Sequence, residues 1–140
     1  HYPLRRQRQM CIRDSCKYLH GYSLGFKFTF GASELDNKNW AVDFGGLKPL
    51  KKWLEDTFDH KTVIDRKDPF LYKFAELENM GLAQVTVLDG VGAEMFAYHA
   101  WKFADELIRE ATNGRCWCVS AECSEHGSNS AIFVAPTEDA

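Results

Sequence analysis

The sequence predicts an α+β fold: an antiparallel four-stranded sheet made of two hairpins, with two helices inserted between them and packed on one face. Three observations predict it. Apolar and polar residues alternate near both ends of the 140-residue chain, as half-buried strands require. In two central stretches the apolar period changes to three and four, the spacing of amphipathic helices. Runs rich in Gly, Asn and Asp separate the segments and supply the turns. Strands at the ends with helices between them favour an antiparallel sheet covered on one side.

Residues 1–15, HYPLRRQRQMCIRDS, show neither period. The string MCIRDS resembles translated sequencing-adapter read-through, so the expectation is a non-native N-terminal segment ahead of one domain over residues 16–136. Tyr22, Leu24, Phe26, Phe28 and Phe30 then alternate with Ser23, Gly25, Lys27 and Thr29, the clearest strand in the chain. ELDNKN is a turn, and NWAVDF is a second strand ending at Gly45-Gly46, which closes a first hairpin. Leu47, Leu50, Trp53, Leu54 and Phe58 recur at helical spacing and predict a first helix over about 46–57. Pro49 falls in its first turn, where a missing N–H costs nothing.

Residues 61–83 are mixed, with a short helical stretch after Pro69 and a stop at Gly81. AQVTVL, 83–88, reads as a short strand. From Ala93 to Ala111, Phe96, Ala100, Phe103, Ala104, Leu107 and Ile108 predict a long helix that Asn113-Gly114 ends. CWCVSAECS alternates, breaks at EHGSNS, and AIFVA follows as the last strand.

Composition narrows the class. The chain is 45% hydrophobic and 26% charged, the balance of one globular domain with a sizeable core. No apolar run approaches the roughly 20 residues that cross a bilayer, and no apolar leader opens the sequence, so a cytoplasmic location without membrane contact is expected. A net charge of −3 argues against nucleic acid as a partner, with Arg5, Arg6 and Arg8 the local exception. Five cysteines without an export signal point to free thiols.

Several side chains invite chemistry. Cys16 stands four positions before His20, a spacing that suits a catalytic pair, a fragment of a metal site, or two buried residues. His60 follows a predicted helix, where it either caps terminal carbonyls or works with Asp59. Glu94 opens the long helix and complements its dipole, while Glu122 on a strand reads first as a solvated carboxylate. Cys116, Cys118 and Cys123 lack a second Cys/His pair at zinc-finger spacing and are assigned to packing. His99 is assigned to the helix surface or core, and His126 to a weaker place beside a pocket.

Taken in order, CKYLHGY, VDFGGLK, FDHKTVI, GAEMFAY and SAECSEHGSNSAIF resemble the motifs of the 6-pyruvoyltetrahydropterin synthase and 6-carboxytetrahydropterin synthase family. The family pattern is Cys-x-x-x-His-Gly-His before a strand, Asp-Phe before a helix, Asp-His after it, a Glu opening the second helix and a late Glu. The resemblance spans roughly residues 16–133. It implies the tunnelling fold, in which subunit sheets join into a barrel, commonly in a homohexamer.

The resemblance implies a chemistry as well. Family members remove triphosphate from dihydroneopterin triphosphate and rearrange its side chain by proton transfers beside a carbonyl. Cys16 matches the catalytic cysteine, whose thiol pKa of about 8.5 falls next to an imidazolium. Asp59 and His60 match its partners, the carboxylate orienting the ring. Glu122 matches the pterin anchor, a carboxylate taking two parallel hydrogen bonds from the exocyclic amine and ring N–H. Glu94 matches the glutamate of a Thr-x-Glu segment, although Gly92 occupies the Thr position.

Zinc, one ion per subunit, is the implied cofactor, held by three histidines. Residues two apart on a strand share a face, so His-Gly-His aims two imidazoles at one ion. This chain keeps His20 and places Tyr22 at the second position, where a phenol of pKa about 10 is a poorer ligand; His1 stands for the N-terminal ligand. The expected function is a 6-carboxytetrahydropterin synthase-like lyase acting on a small pterin in 7-deazapurine (queuosine) biosynthesis. The pyruvoyl-forming reaction, or a non-catalytic pterin-binding oligomer without its zinc, are the alternatives.

Overall fold

The computed structural model describes residues 6–8, 19, 21, 23–39, 43–125 and 129–136. In chain order these form β1 (Arg6–Arg8), β2 (Leu24–Ala32), a 3₁₀ turn (Phe44–Leu47), α1 (Lys48–Phe58), β3 (Thr62–Asp65), α2 (Leu71–Asn79), β4 (Val85–Leu88), α3 (Ala93–Ala111), β5 (Cys116–Glu125) and β6 (Asn129–Val134). Two three-stranded sheets result, an antiparallel one in the order β2-β5-β6 and a parallel one in the order β1-β3-β4.

The α+β class is as expected. Among the described residues the antiparallel sheet holds three of the four strands expected, and β2 pairs with β5. Of the expected second strand, residues 40–42 lie outside the described residues, and Asp43 accepts a hydrogen bond from Gly45 N (3.0 Å) at the start of the 3₁₀ turn. The second hairpin forms as β5 and β6. Among the described residues there are three α-helices where two were expected, α2 being the stretch after Pro69. AQVTVL contributes β4, in the parallel sheet beside β3. Arg6–Arg8, within a segment read as lacking any element, pairs with Thr62–Ile64; three residues are too few to show a period.

Side-chain parity organises the antiparallel sheet. Phe26, Phe28 and Phe30 face the helices with Cys118, Ala121, Cys123, Ala131 and Phe133. The other face carries rows set by register: Gly25, Ser124, Ser130; Lys27, Glu122, Ile132; Thr29, Ser120, Val134. A bulge opposite Thr29 and Phe30 adds Val119 to β5, so both halves of β5 keep their small side chains inward.

α3 lies on the inner face through Ala93, Phe96, Ala97, Ala100, Ala104 and Ile108, all buried. Alanines let the helix approach closely, and Tyr98 and Trp101 rest on Phe133 with centroids 5.0 and 4.7 Å away. Next to the bulge, helix side chains take the backbone of Cys118. Its N–H donates to Oδ1 of Asp105 (2.9 Å), and its carbonyl accepts from Nε1 of Trp101 (2.8 Å). Those bonds replace part of the ladder that the extra residue disrupts.

α1 buries Leu50, Leu54 and Phe58 against α3 and β2. Phe58 packs on Phe26 and on Phe96, each with centroids 5.1 Å apart, and Trp53 stacks on Phe103 at 5.0 Å. The end of α1 is thereby pinned between β2 and the first turns of α3.

Candidate active site

The α1–β3 corner builds the first part of the site. Asp59 ends α1, its N–H donating to Glu55 O (3.0 Å), and Thr62 N already donates to Gln84 O (2.7 Å). Only two residues lie between Asp59 and the buried strand, so His60 takes a left-handed φ of 58°, a conformation uncommon for a non-glycine residue. In that conformation its Nδ1 lies 2.8 Å from Oδ1 of Asp59. The approach has ion-pair distance without hydrogen-bond alignment, so Oδ1 is held against the ring while making no hydrogen bond. The His60 side chain is 67% exposed and that of Asp59 33%. The imidazole thus stands exposed at the corner with one carboxylate oxygen of Asp59 against it.

Phe58, one residue earlier, touches Phe96, which brings this corner near the N-terminal turn of α3. Glu94 is the acid of that turn, solvent-exposed within the chain. Gly92 precedes it, buried at φ 107°. A threonine there would be strained, so the departure from the family's Thr-x-Glu pattern has a backbone reason. Cys123 lies behind the same turn. Burial pushes its thiol up to about 12, and the carboxylates of Glu125 and Glu94 push the same way. Burial also raises Cys118 to about 12, reinforced by Asp105. These thiols are free and buried with Cys116, in agreement with their assignment to packing.

Glu122 is elsewhere. It alternates with buried Ala121 and Cys123, so it projects from the face away from the helices, opposite Lys27 on β2 and Ile132 on β6. One chain therefore gathers Asp59, His60 and Glu94 toward the helix side and sets Glu122 on the other side of the sheet. Lys27, its cross-strand neighbour, was not singled out from sequence. The signal was available, since it is the one charged residue in the alternating strand.

Cys16, His1, His20, Tyr22 and His126 lie outside the described residues. Among the described residues no group of three His, Cys, Asp or Glu side chains can hold a metal ion. His99 is tied to the surface, its Nε2 lying 3.0 Å from Asp89 O.

The family model for 6-pyruvoyl tetrahydropterin synthase matches residues 4–136, and the chain belongs to that family. A 6-carboxy-5,6,7,8-tetrahydropterin synthase of Rickettsia typhi is 32% identical over 68 residues, 48% of each chain; the chain thus spans about half the length of the curated relative it matches. Among solved structures, an uncharacterized protein from Wolinella succinogenes superposes with a TM-score of 0.77 at 19% identity, covering 94% of this chain and 92% of that one. A 6-pyruvoyltetrahydropterin synthase from Plasmodium vivax gives 0.64 at 12% identity, with 91% and 88% covered. At those identities the two structures establish a shared fold. No helix among the described residues is long and apolar enough to cross a membrane.

Proposed function

We propose that the protein is a 6-carboxytetrahydropterin synthase-like lyase that converts dihydroneopterin triphosphate to a tetrahydropterin, a step toward 7-deazapurines of the queuosine type. The observation that carries the reading is the Asp59–His60 contact at 2.8 Å, set at an exposed corner in a chain of this family. Loss of triphosphate and rearrangement of the side chain require a proton to be taken from carbon beside a carbonyl and returned elsewhere. In this reading Cys16 is the base and His60 relays the proton, while Asp59 fixes the ring and stabilises its charged form. Glu122 accepts from the exocyclic amine and ring N–H of the pterin, and Glu94 contacts the ligand from the first turn of α3.

Assembly belongs to the same proposal. Glu122 on one face and the Asp59–His60 corner with Glu94 on the other support a site completed between subunits, with sheets joined into a barrel and the protein a homohexamer. Zinc, when bound, supplies electrophilic stabilisation of charge developing on a substrate oxygen; His20, Tyr22 and His1 are the residues proposed to hold it. Tyr22 at the second ligand position favours one further reading, a pterin-binding oligomer without turnover.

The test is incubation with dihydroneopterin triphosphate and zinc, following product by chromatography, for the unaltered protein and for Cys16→Ala and His60→Ala. Turnover that either variant abolishes is the expected result. Product formation unchanged by both substitutions overturns the assigned roles, and pterin binding with no turnover in any of the three favours the non-catalytic reading.

A further inference from the structure

Lys61 follows the Asp59–His60 pair directly, its Cα about 3.8 Å from that of His60. Its backbone is fixed from both sides: its N–H donates to Phe58 O (3.4 Å), and the next residue, Thr62, donates to Gln84 O. The same Gln84 takes the side chain of the lysine, Nζ donating to Oε1 at 2.7 Å. Neighbouring cations are paired with carboxylates, Arg66 with Asp89, Lys52 with Asp56 and Lys73 with Glu76. Lys61 is held by a neutral amide, which orders the side chain without compensating its charge. An ammonium has three donors and no acceptor. Gln84 uses one of them, and two remain for a ligand.

We propose that Lys61 binds the leaving group, holding the triphosphate as it departs. The proposal rests on the lyase reading, in which His60 relays protons at the side-chain carbons of dihydroneopterin triphosphate. Elimination takes a proton from the carbon beside the carbonyl. The electron pair left behind forms a carbon–carbon double bond, the adjacent C–O bond breaks, and the oxygen keeps that bond's pair as triphosphate. The bond that breaks is thus one carbon away from the proton that is removed, and a cation for the leaving oxygen belongs next to the residue that moves the proton. Lys61 occupies that position in the chain. Negative charge grows on the leaving oxygen in the transition state, and an ammonium already ordered by Gln84 meets it with little reorganisation. The compact charge and rotatable donors of lysine suit successive phosphate oxygens, whereas the carboxylates of Asp59 and Glu94 would repel them.

Cys16→Ala, which on this reading binds substrate without turning it over, is the background for titration by pterin fluorescence. Dihydroneopterin triphosphate and dihydroneopterin are compared in the full chain with Lys61 intact and with Lys61→Met, Lys61→Arg or Gln84→Leu added. Lys102→Met, at an exposed position on α3, is the control. Lys61→Met is expected to weaken the triphosphate ligand about tenfold or more, the scale of one charge-assisted hydrogen bond, and to leave dihydroneopterin binding unaffected. Lys61→Arg should restore most of the loss, Gln84→Leu should show part of it, and Lys102→Met none. With Cys16 intact, Lys61→Met should also lower kcat about a hundredfold, which loss of simple ligand attraction would not do. Lys61 is half-buried, so melting temperatures are followed, and the exposed Gln84→Leu carries the test if Lys61→Met does not fold. Unchanged triphosphate affinity in Lys61→Met, an equal loss for both ligands, or an equal loss in Lys102→Met overturns the proposal, while retained dihydroneopterin binding leaves the lyase reading standing. If neither ligand binds even with Lys61 intact, the lyase reading fails and the proposal with it.

Discussion

Nδ1 of His60 lies 2.8 Å from Oδ1 of Asp59, and the contact depends on a backbone conformation that histidine seldom adopts, φ 58°. Left-handed conformations cost non-glycine residues roughly 1–2 kcal/mol. Replacing His60 by Gly and by Ala removes the ring in both cases but relieves the backbone only in the first. His60→Gly should therefore be more stable than His60→Ala by about 1 kcal/mol in urea denaturation, while both are inactive. Equal stability would show that the corner carries no strain.

Asp59→Asn keeps the size of the side chain and removes its charge. If the carboxylate stabilises the charged ring during proton transfer, kcat should fall about a hundredfold or more, with pterin affinity nearly unchanged because Asp59 does not touch the ligand in the proposed mechanism. A change confined to KM would remove Asp59 from the proton relay.

The buried thiols set an alkaline limit. Cys118 and Cys123 hold their protons up to about 12 in the folded chain, against an ordinary value of 9.0. Below pH 9 both folded and unfolded states keep the protons, and stability does not depend on these groups. Between 9 and 12 the unfolded chain releases protons that the folded chain retains, so unfolding becomes easier as pH rises. Urea midpoints should decline across that window, and a Cys118→Ala, Cys123→Ala double variant should decline less steeply. At pH 8 the two thiols of the native protein should resist alkylation until denaturant is added.

Gly31 lies under the indole of Trp117. A Cβ built on it would stand 2.8 Å from Nε1 of the indole, closer than carbon and nitrogen tolerate. Gly31→Ala should destabilise the protein by about 1–3 kcal/mol, measured by denaturant titration, and the Gly31→Ala, Trp117→Ala pair should recover part of the loss.

Asp105 holds the bulged strand. Besides Cys118 N it binds Nε of Arg109, 2.9 Å from each carboxylate oxygen. Asp105→Ala strands a buried N–H and should cost about 1–3 kcal/mol, with hydrogen exchange at Cys118 accelerated more than at Cys123. Uniform acceleration along β5 would argue against a local role.

Much of this architecture was legible. The alternation of Phe26, Phe28 and Phe30 and the three-and-four spacing through Phe96, Ala100 and Ala104 gave β2 and α3, because each element has one buried face. β3 was missed for a physical reason: Thr62, Val63 and Ile64 are all buried, and a four-residue strand covered on both sides has no alternation to read. The pairing of β2 with β5 was hidden too, since Lys27 and Glu122 are far apart in the chain and local turns predict only local partners. In the site, Asp59 and His60 were legible as neighbours. The division of Glu94 from Glu122 across the sheet was not, because it follows from strand register and not from residue type.

Val119 is the extra residue of β5 and faces no partner on β2. Removing it would leave Cys118 opposite Phe30 and Ser120 opposite Thr29, so plain alternation would return and every side chain would keep its face. A strand that took up the extra residue in a regular ladder, with no bulge, would turn over everything beyond it. Cys123 would surface and Glu122 would turn into a hydrocarbon layer lined by Phe26 and Phe28. In this protein one local irregularity of the backbone decides on which side of the sheet a carboxylate is displayed.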